Sequence, residues 1–162
     1  MARVSKINYY LDIAQTVSER STCLRKRYGA IIVKNDVIIS TGYNGAPRGR
    51  KNCCDIGRCM REELNIPRGE RYEMCRSVHA EANAIIAAPR DQMLDAELYM
   101  CCTQPGSGEI ISGICSCMMC KRMVLNAGIS RVIVREDSEN YTVFNTEDWV
   151  THDDSLEGKF GY

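Results

Sequence analysis

The chain has 162 residues, 44% hydrophobic and 26% charged, which fits one folded domain spanning 1–162 and excludes extended disorder. Its 21 Lys and Arg are balanced by 21 Asp and Glu, which removes any global electrostatic reason to bind a polynucleotide or an acidic membrane. The opening stretch MARVSKINYYLDIAQTV lacks the unbroken apolar run of an export signal, and no later run is long enough to cross a bilayer, so a cytoplasmic location is expected.

From residue 5 to about 20, Ile7, Tyr10, Leu11, Ala14 and Val17 recur at three- and four-residue steps and predict an amphipathic helix. AIIV at 30–33 and VIIST at 37–41, joined by Lys34-Asn35-Asp36, predict a hairpin. Residues 42–76 form a long irregular stretch with glycines, two prolines and four cysteines; such a length is uncommon in a compact domain unless it is functional or tied down. HAEANAIIAA at 79–88 is helix material stopped by Pro89, and ELYMCC at 97–102 is a short buried strand. After the glycine-containing segment 103–114, a helix is expected from 117 to 126, ended by Ala127-Gly128, followed by a strand at 131–134. The tail 137–162 carries Trp149 and several acids without clear periodicity and receives no element. Strands alternating with helices after a hairpin imply an α/β layered fold with a mixed sheet.

Ten cysteines in so short a chain would frame a disulfide scaffold in a secreted protein; without an export signal, clustered thiols point to metal binding or chemistry. Cys117 and Cys120 stand three apart at a predicted helix start, where their sulfurs share a face and the positive helix end favours thiolate. His79 supplies a third ligand, and His plus two Cys leaves the fourth tetrahedral position of a zinc ion for water. Glu81 lies two residues on from His79, about 200° around an ideal helix, so the two can share a site only beyond the helix N-terminus. There Glu81 is placed for general acid/base work. A CxxC alone could be a redox pair or a zinc knuckle, but H-x-E followed by C-x-x-C is the pattern of zinc deaminases.

With these residues in view, the chain resembles the cytidine and deoxycytidylate deaminase superfamily, especially its dCMP deaminases and the late-competence proteins near them. The resemblance runs from about residue 7 to 136. It rests on STC at 21–23, STGYNGAPRG at 40–49, NC at 52–53, CRSVHAEANAI at 75–85, LYMCC at 98–102 and CMMCKRMVLNAGISRVIV at 117–134. It implies a three-layer α/β/α fold with a mixed five-stranded sheet and a zinc site at the N-termini of two adjacent helices. Two departures stand out. Ser116 replaces the proline usual before the first cysteine, and the link into Cys117 is longer, with an extra Cys115. A serine can cap the helix through its oxygen, while Cys115 offers an alternative metal ligand.

The implied reaction is hydrolysis of dCMP to dUMP and ammonia, with His79, Cys117 and Cys120 holding the catalytic zinc and Glu81 carrying protons to N3 and then to the departing amine. The resemblance places Asn44 at the sugar and Arg25 near the 5′-phosphate, against the alternatives of a plain NG turn and a solvated charge. Tyr141 is a candidate to stack on the base, with a core role as the competing reading. Cys23, Cys53 and Cys75, completed by Cys59 in preference to Cys54, match the ligands of a second, structural zinc, against a reading as reduced buried thiols. Arg90 falls in a region tied to nucleotide regulation, and the family implies a homo-oligomer responding to dCTP and dTTP. The alternatives are a deaminase of another cytosine nucleotide, nucleoside or related base, and a non-catalytic zinc-binding protein of the late-competence type, which would need no acid/base carboxylate and would close its site with a fourth protein ligand.

Overall fold

The computed structural model describes residues 2–157. A helix α1 (Lys6–Ser18) is followed by the strands β1 (Arg27–Lys34) and β2 (Val37–Tyr43), short helices α2 (Cys53–Ile56) and α3 (Met60–Glu63), and a single 3₁₀ turn (Tyr72–Met74). Then come α4 (Ala80–Ile86), α5 (Arg90–Met93), β3 (Glu97–Thr103), α6 (Met118–Ala127), β4 (Arg131–Arg135), β5 (Tyr141–Asn145) and α7 (Thr146–Thr151). The strands form one five-stranded sheet in the order β2-β1-β3-β4-β5. Only β3 and β4 run parallel, joined through α6; the other neighbours are antiparallel. The expected mixed five-stranded α/β sheet is therefore present.

Alternation along the strands divides the interior into two layers. Ile31, Val33, Tyr99, Cys101 and Ile133 meet Tyr10, Leu11 and Ala14 of α1 on one face. Ala30, Ile32, Leu98, Met100, Cys102, Val132 and Val134 meet Ala80 and Ala84 of α4 and Val124 and Ala127 of α6 on the other. Two strand glycines set how closely the helices approach. A β carbon at Gly29 would stand 2.0 Å from the carbonyl oxygen of Ala14 on α1, and one at Gly42 would stand 2.4 Å from that of Ala80 on α4. The small residue is required at both places by backbone contact.

The β1–β2 turn has Asn35 at φ 48° and Asp36 at φ 64°, the double left-handed conformation that matches strand twist. Beyond the end of β2 at Tyr43, the segment to residue 76 contains only short helical turns and one isolated β-bridge. One anchor is a two-way backbone pairing of Gly45 with Val78, at 3.2 and 2.8 Å, which delivers His79 beside the end of β2. The tail holds two elements that its weak periodicity concealed, β5 and α7. Phe144 and Trp149 pack against the α4/α6 core, and Lys121 lies 5.3 Å from the Trp149 ring. Gly128, in the left-handed region at φ 81°, closes α6 where Ala127-Gly128 predicts its end.

Candidate active site

Both motifs sit at helix starts. His79 is the N-cap of α4 and Cys117 the N-cap of α6, each with extended backbone. Such residues project past the first turn, so one His and one Cys from helices that pack together converge beyond their ends. The Cys117 Sγ lies 3.5 Å and the Cys120 Sγ 3.3 Å from His79 Nδ1. All three donor atoms lie within 4.8 Å of one another, and among the described residues this is the only such set of three or more His, Cys, Asp or Glu. Zinc bonds of about 2.05 Å to nitrogen and 2.3 Å to sulfur in tetrahedral array put N and S about 3.6 Å apart, so the donor set fits the ion.

The helix start also prepares the ligands electrostatically. The Cys120 N–H donates to Cys117 Sγ at 3.4 Å. A hydrogen bond from the Cys120 thiol, with others from His79 and the Cys120 amide, lowers the Cys117 pKa to about 4, while its partner Cys120 is raised by the same pairing and by burial. Burial acts to lower the His79 pKa, but hydrogen bonds with Cys117 and Cys75 and the charge of Glu81 outweigh it and raise it to about 10. A zinc ligand set needs a neutral imidazole and two thiolates, so an ion bound here would displace the protons that His79 and Cys120 hold, and its binding would be pH-dependent.

Glu81, in the first turn of α4, is 5% exposed. Burial raises its pKa, opposed by the charge of His79. A carboxyl held above its ordinary range is suited to carry a proton between partners. Ser116 does not cap α6, contrary to the expectation from its position; Cys117 takes that place because its own sulfur accepts the Cys120 amide. Ser116 is instead fully buried beside the Glu81 carboxyl, where its hydroxyl counters part of the rise in the Glu81 pKa. Cys115 lines the pocket but stands outside the three-donor set, which removes it as a fourth ligand in this arrangement.

His79, Glu81 and Cys117 open into a pocket walled by the N-terminal part of β1, the 58–77 segment and the residues before α6. Arg25 and Asn44 both line it. Arg25 pairs with Glu62 at 3.2 Å. Asn44 is no NG turn; its buried side chain accepts from the Tyr28 N–H at 2.8 Å and the Ser21 hydroxyl at 2.5 Å and donates to the Lys26 carbonyl at 2.9 Å. Its amide retains one hydrogen for a ligand. Tyr141 lies elsewhere. It starts β5 and pairs with Arg135, two residues from Val143, which pairs with Ile133 of the α1-side core. Strand alternation puts Tyr141 on that face of the sheet, away from α4 and α6, so the base-stacking expectation is corrected.

Lys26, Arg68 and Tyr72 are among the pocket residues that the sequence does not single out. Burial, then the charge of Arg68, lowers the Lys26 pKa. The run LRKR at 24–27 carries a signal for Lys26; nothing local marks Arg68. Tyr72 also lines the pocket and packs edge-on to His79.

Cys23, Cys53, Cys59 and Cys75 also line the pocket. Cys53 is raised by burial and by the neighbouring sulfurs of Cys23, Cys75 and Cys59, so these four share one neighbourhood. Cys54 is exposed and turned towards Asp55. Arg90 begins α5 and donates to the Asn126 carbonyl at 3.2 Å, in a groove beside α6 apart from this pocket. No helix among the described residues is long and apolar enough to cross a membrane.

Comparison with known proteins agrees with the geometry. Residues 4–136 match the model of the cytidine and deoxycytidylate deaminase zinc-binding region. The deoxycytidylate deaminase of Mycobacterium phage D29 is 33% identical over 85% of this chain and all of its own length. That of Schizosaccharomyces pombe is 31% identical over 81% of this chain, and the chain spans only 37% of that protein. Among solved structures, the dCMP deaminase of cyanophage S-TIM5 in complex with dCMP and dUMP superposes with a TM-score of 0.54 at 26% identity, over 85% of each chain. A zinc-binding family model covering most of the chain and a His-Cys-Cys donor set at two helix starts leave one assignment: the chain belongs to the cytidine and deoxycytidylate deaminase family.

Proposed function

We propose that this protein hydrolyses dCMP to dUMP and ammonia. The observation that carries the reading is a buried carboxyl, Glu81, beside a three-ligand zinc site that opens into a cation-lined pocket. A purely structural zinc has no use for such a carboxyl and is normally closed by a fourth protein ligand. When bound, the metal lowers the pKa of a water molecule and so supplies the nucleophile for C4 of the cytosine ring. His79, Cys117 and Cys120 would hold the ion, and Glu81 would accept the water proton and pass it to N3, then carry the proton of the new C4 hydroxyl to the exocyclic amine as the C4–N4 bond breaks. Water adds, ammonia departs, and C4 becomes a carbonyl.

The choice of a nucleotide over a nucleoside rests on Arg25, Lys26 and Arg68 around one end of the pocket. A half-buried lysine whose pKa is lowered by partial burial and by a neighbouring guanidinium gains from a dianion between them, and Arg forks suit phosphate oxygens. Asn44 directs its remaining amide hydrogen towards the sugar. A second zinc on Cys23, Cys53, Cys59 and Cys75, which would tie the 42–76 segment to the end of α1, is supported by the family resemblance and by their shared neighbourhood; their sulfurs do not form a three-donor set within 4.8 Å, so binding would draw them together. A homo-oligomeric state and responses to dCTP and dTTP rest on the family resemblance alone.

The test is ammonia release by zinc-loaded protein from dCMP, CMP, dCTP and deoxycytidine, beside Glu81→Gln. Activity on dCMP that the variant abolishes supports the reading. Turnover of deoxycytidine as efficient as that of dCMP would overturn the nucleotide assignment. A zinc-replete, folded protein inactive on all four would overturn the reaction.

A further inference from the structure

Arg61 is charged, yet only 4% exposed. Its guanidinium donates to the carbonyls of Glu70 at 2.6 Å, Arg71 at 2.9 Å and Pro67 at 2.7 Å, and no carboxylate is among these partners. A buried cation is costly unless fully hydrogen-bonded, and here the bonds all go to one loop. Arg71 within that loop sits at φ 48°, a left-handed step unusual for a side chain of its size, and it immediately precedes Tyr72. The guanidinium carbon lies 4.4 Å from the centroid of the Tyr72 ring. That ring in turn meets the His79 imidazole at 5.0 Å and 82°, an edge contact. The Gly69 N–H donates to the Tyr72 hydroxyl at 3.1 Å, while the contacts of the ring itself are with Arg61 and His79.

We infer that Arg61 and Tyr72 are positioning residues for the metal ligand His79. The imidazole stands at the mouth of α4, outside the helix hydrogen-bond ladder, and a catalytic site with three protein ligands lacks the fourth that would hold it by closure. Ring orientation then depends on what touches the imidazole away from the metal. Cys75 shares a hydrogen bond with the imidazole, Tyr72 adds a ring surface against it, and Arg61 holds the loop that presents that ring. The cation also faces the π cloud, which favours an electron-rich ring at this position. Both residues also line the pocket, but the role inferred for them is exerted through His79. The inference rests on the zinc site of the proposed function but not on the choice of substrate.

With only two histidines in the chain, histidine-selective ¹⁵N labelling gives one half-buried and one exposed imidazole, and the metal-bound His79 signal reads the catalytic site alone. Zinc is withdrawn from the full-length protein by a competing chelator while that signal is followed. Tyr72→Leu and Arg61→Met are expected to lose it about 10-fold faster than wild type, and Tyr72→Phe at the wild-type rate. In a parallel assay Tyr72→Leu lowers kcat with little change in KM. If Arg61→Met fails to fold, the two Tyr72 variants decide. Wild-type release from Tyr72→Leu, or release from Tyr72→Phe as fast as from Tyr72→Leu, overturns the role of the ring. A wild-type protein that never shows metal-bound His79 overturns this inference and the zinc reading together, whereas metal-bound His79 without ammonia release from dCMP sinks only the proposed activity.

Discussion

Gly42 of β2 lies directly under the first turn of α4, so that an added β carbon would stand 2.4 Å from both the Ala80 carbonyl oxygen and the Ala84 amide nitrogen. Both contacts are backbone, which cannot rotate away. Since Ala80 is flanked by His79 and Glu81, the helix that carries half of the site is seated on a residue with no side chain. Gly42→Ala is expected to displace α4, cost about 1–3 kcal/mol of stability and lower turnover more than that loss alone would. Denaturant unfolding and an ammonia assay at a temperature where the variant remains folded check this. Unchanged turnover would mean that α4 re-seats without disturbing the site.

Glu81 is buried but is not a metal ligand, so its charge and its proton can be removed separately from the zinc. Glu81→Gln keeps the volume and one acceptor. Turnover of dCMP is expected to fall by about 10²- to 10⁴-fold, with zinc content and thermal stability near those of the parent. Zinc loss in this variant would instead make Glu81 part of the metal-holding structure.

How much of this was legible in the sequence depends on the range of the interaction. His79, Glu81, Cys117 and Cys120 were readable because helix ends have local signals and because i, i+2 and i, i+3 spacings have definite geometry. The strand YTVFN was missed although Asp137-Ser-Glu-Asn140 ahead of it makes a turn, with Asn140 bonded to Asp137 at 2.8 Å; together with RVIVR it reads as a hairpin. Tyr141 was misplaced for the same reason, since without a strand there was no face to assign it to. Arg61 carries no local signal at all. It sits among charged neighbours at 61–63 on a four-residue helix, and only the fold of residues 67–72 around it makes it buried. Lys26 and Arg68 likewise meet only once the pocket is formed.

The four sulfurs near Cys53 allow a metal-count experiment. Cys59→Ser is expected to reduce bound zinc by one ion per chain and to lower the melting temperature, because the 42–76 segment loses its tie. Cys54→Ser, at an exposed thiol facing Asp55, leaves both unchanged. Equal zinc content in the two variants, measured by atomic emission on gel-filtered protein, would return the cluster to reduced buried thiols.

Lys26 and Arg25 separate phosphate recognition from chemistry. Replacing a charge-assisted contact to phosphate removes about 1.5–3 kcal/mol, or about 10- to 100-fold in binding. Lys26→Met and Arg25→Ala are therefore expected to raise KM for dCMP by that range, while binding of deoxycytidine changes little. Parallel losses for nucleotide and nucleoside would assign both cations to the pocket wall alone.

Away from the site, the hairpin turn is tied to α1 by a charge whose pH behaviour follows from its partners. Asp36 accepts from Lys6 Nζ at 2.8 Å and from the Tyr10 hydroxyl. The bonds from Lys6 first and Tyr10 second lower its pKa below the ordinary carboxyl value. A carboxyl whose pKa is lower folded than unfolded contributes stability that is complete above the unfolded value of about 3.9. That contribution disappears as the pH falls through the lower, folded value. At neutral pH Asp36→Asn is accordingly expected to melt below wild type, and the gap should close on acidification below the unfolded carboxyl pKa. Because the group is solvent-exposed, the neutral-pH gap should also shrink with added salt. Melting curves from pH 7 down to the acid transition, at low and high salt, test both statements; a gap that stays constant across that range would show that the turn is held by the backbone conformation of Asn35 and Asp36 rather than by the charge.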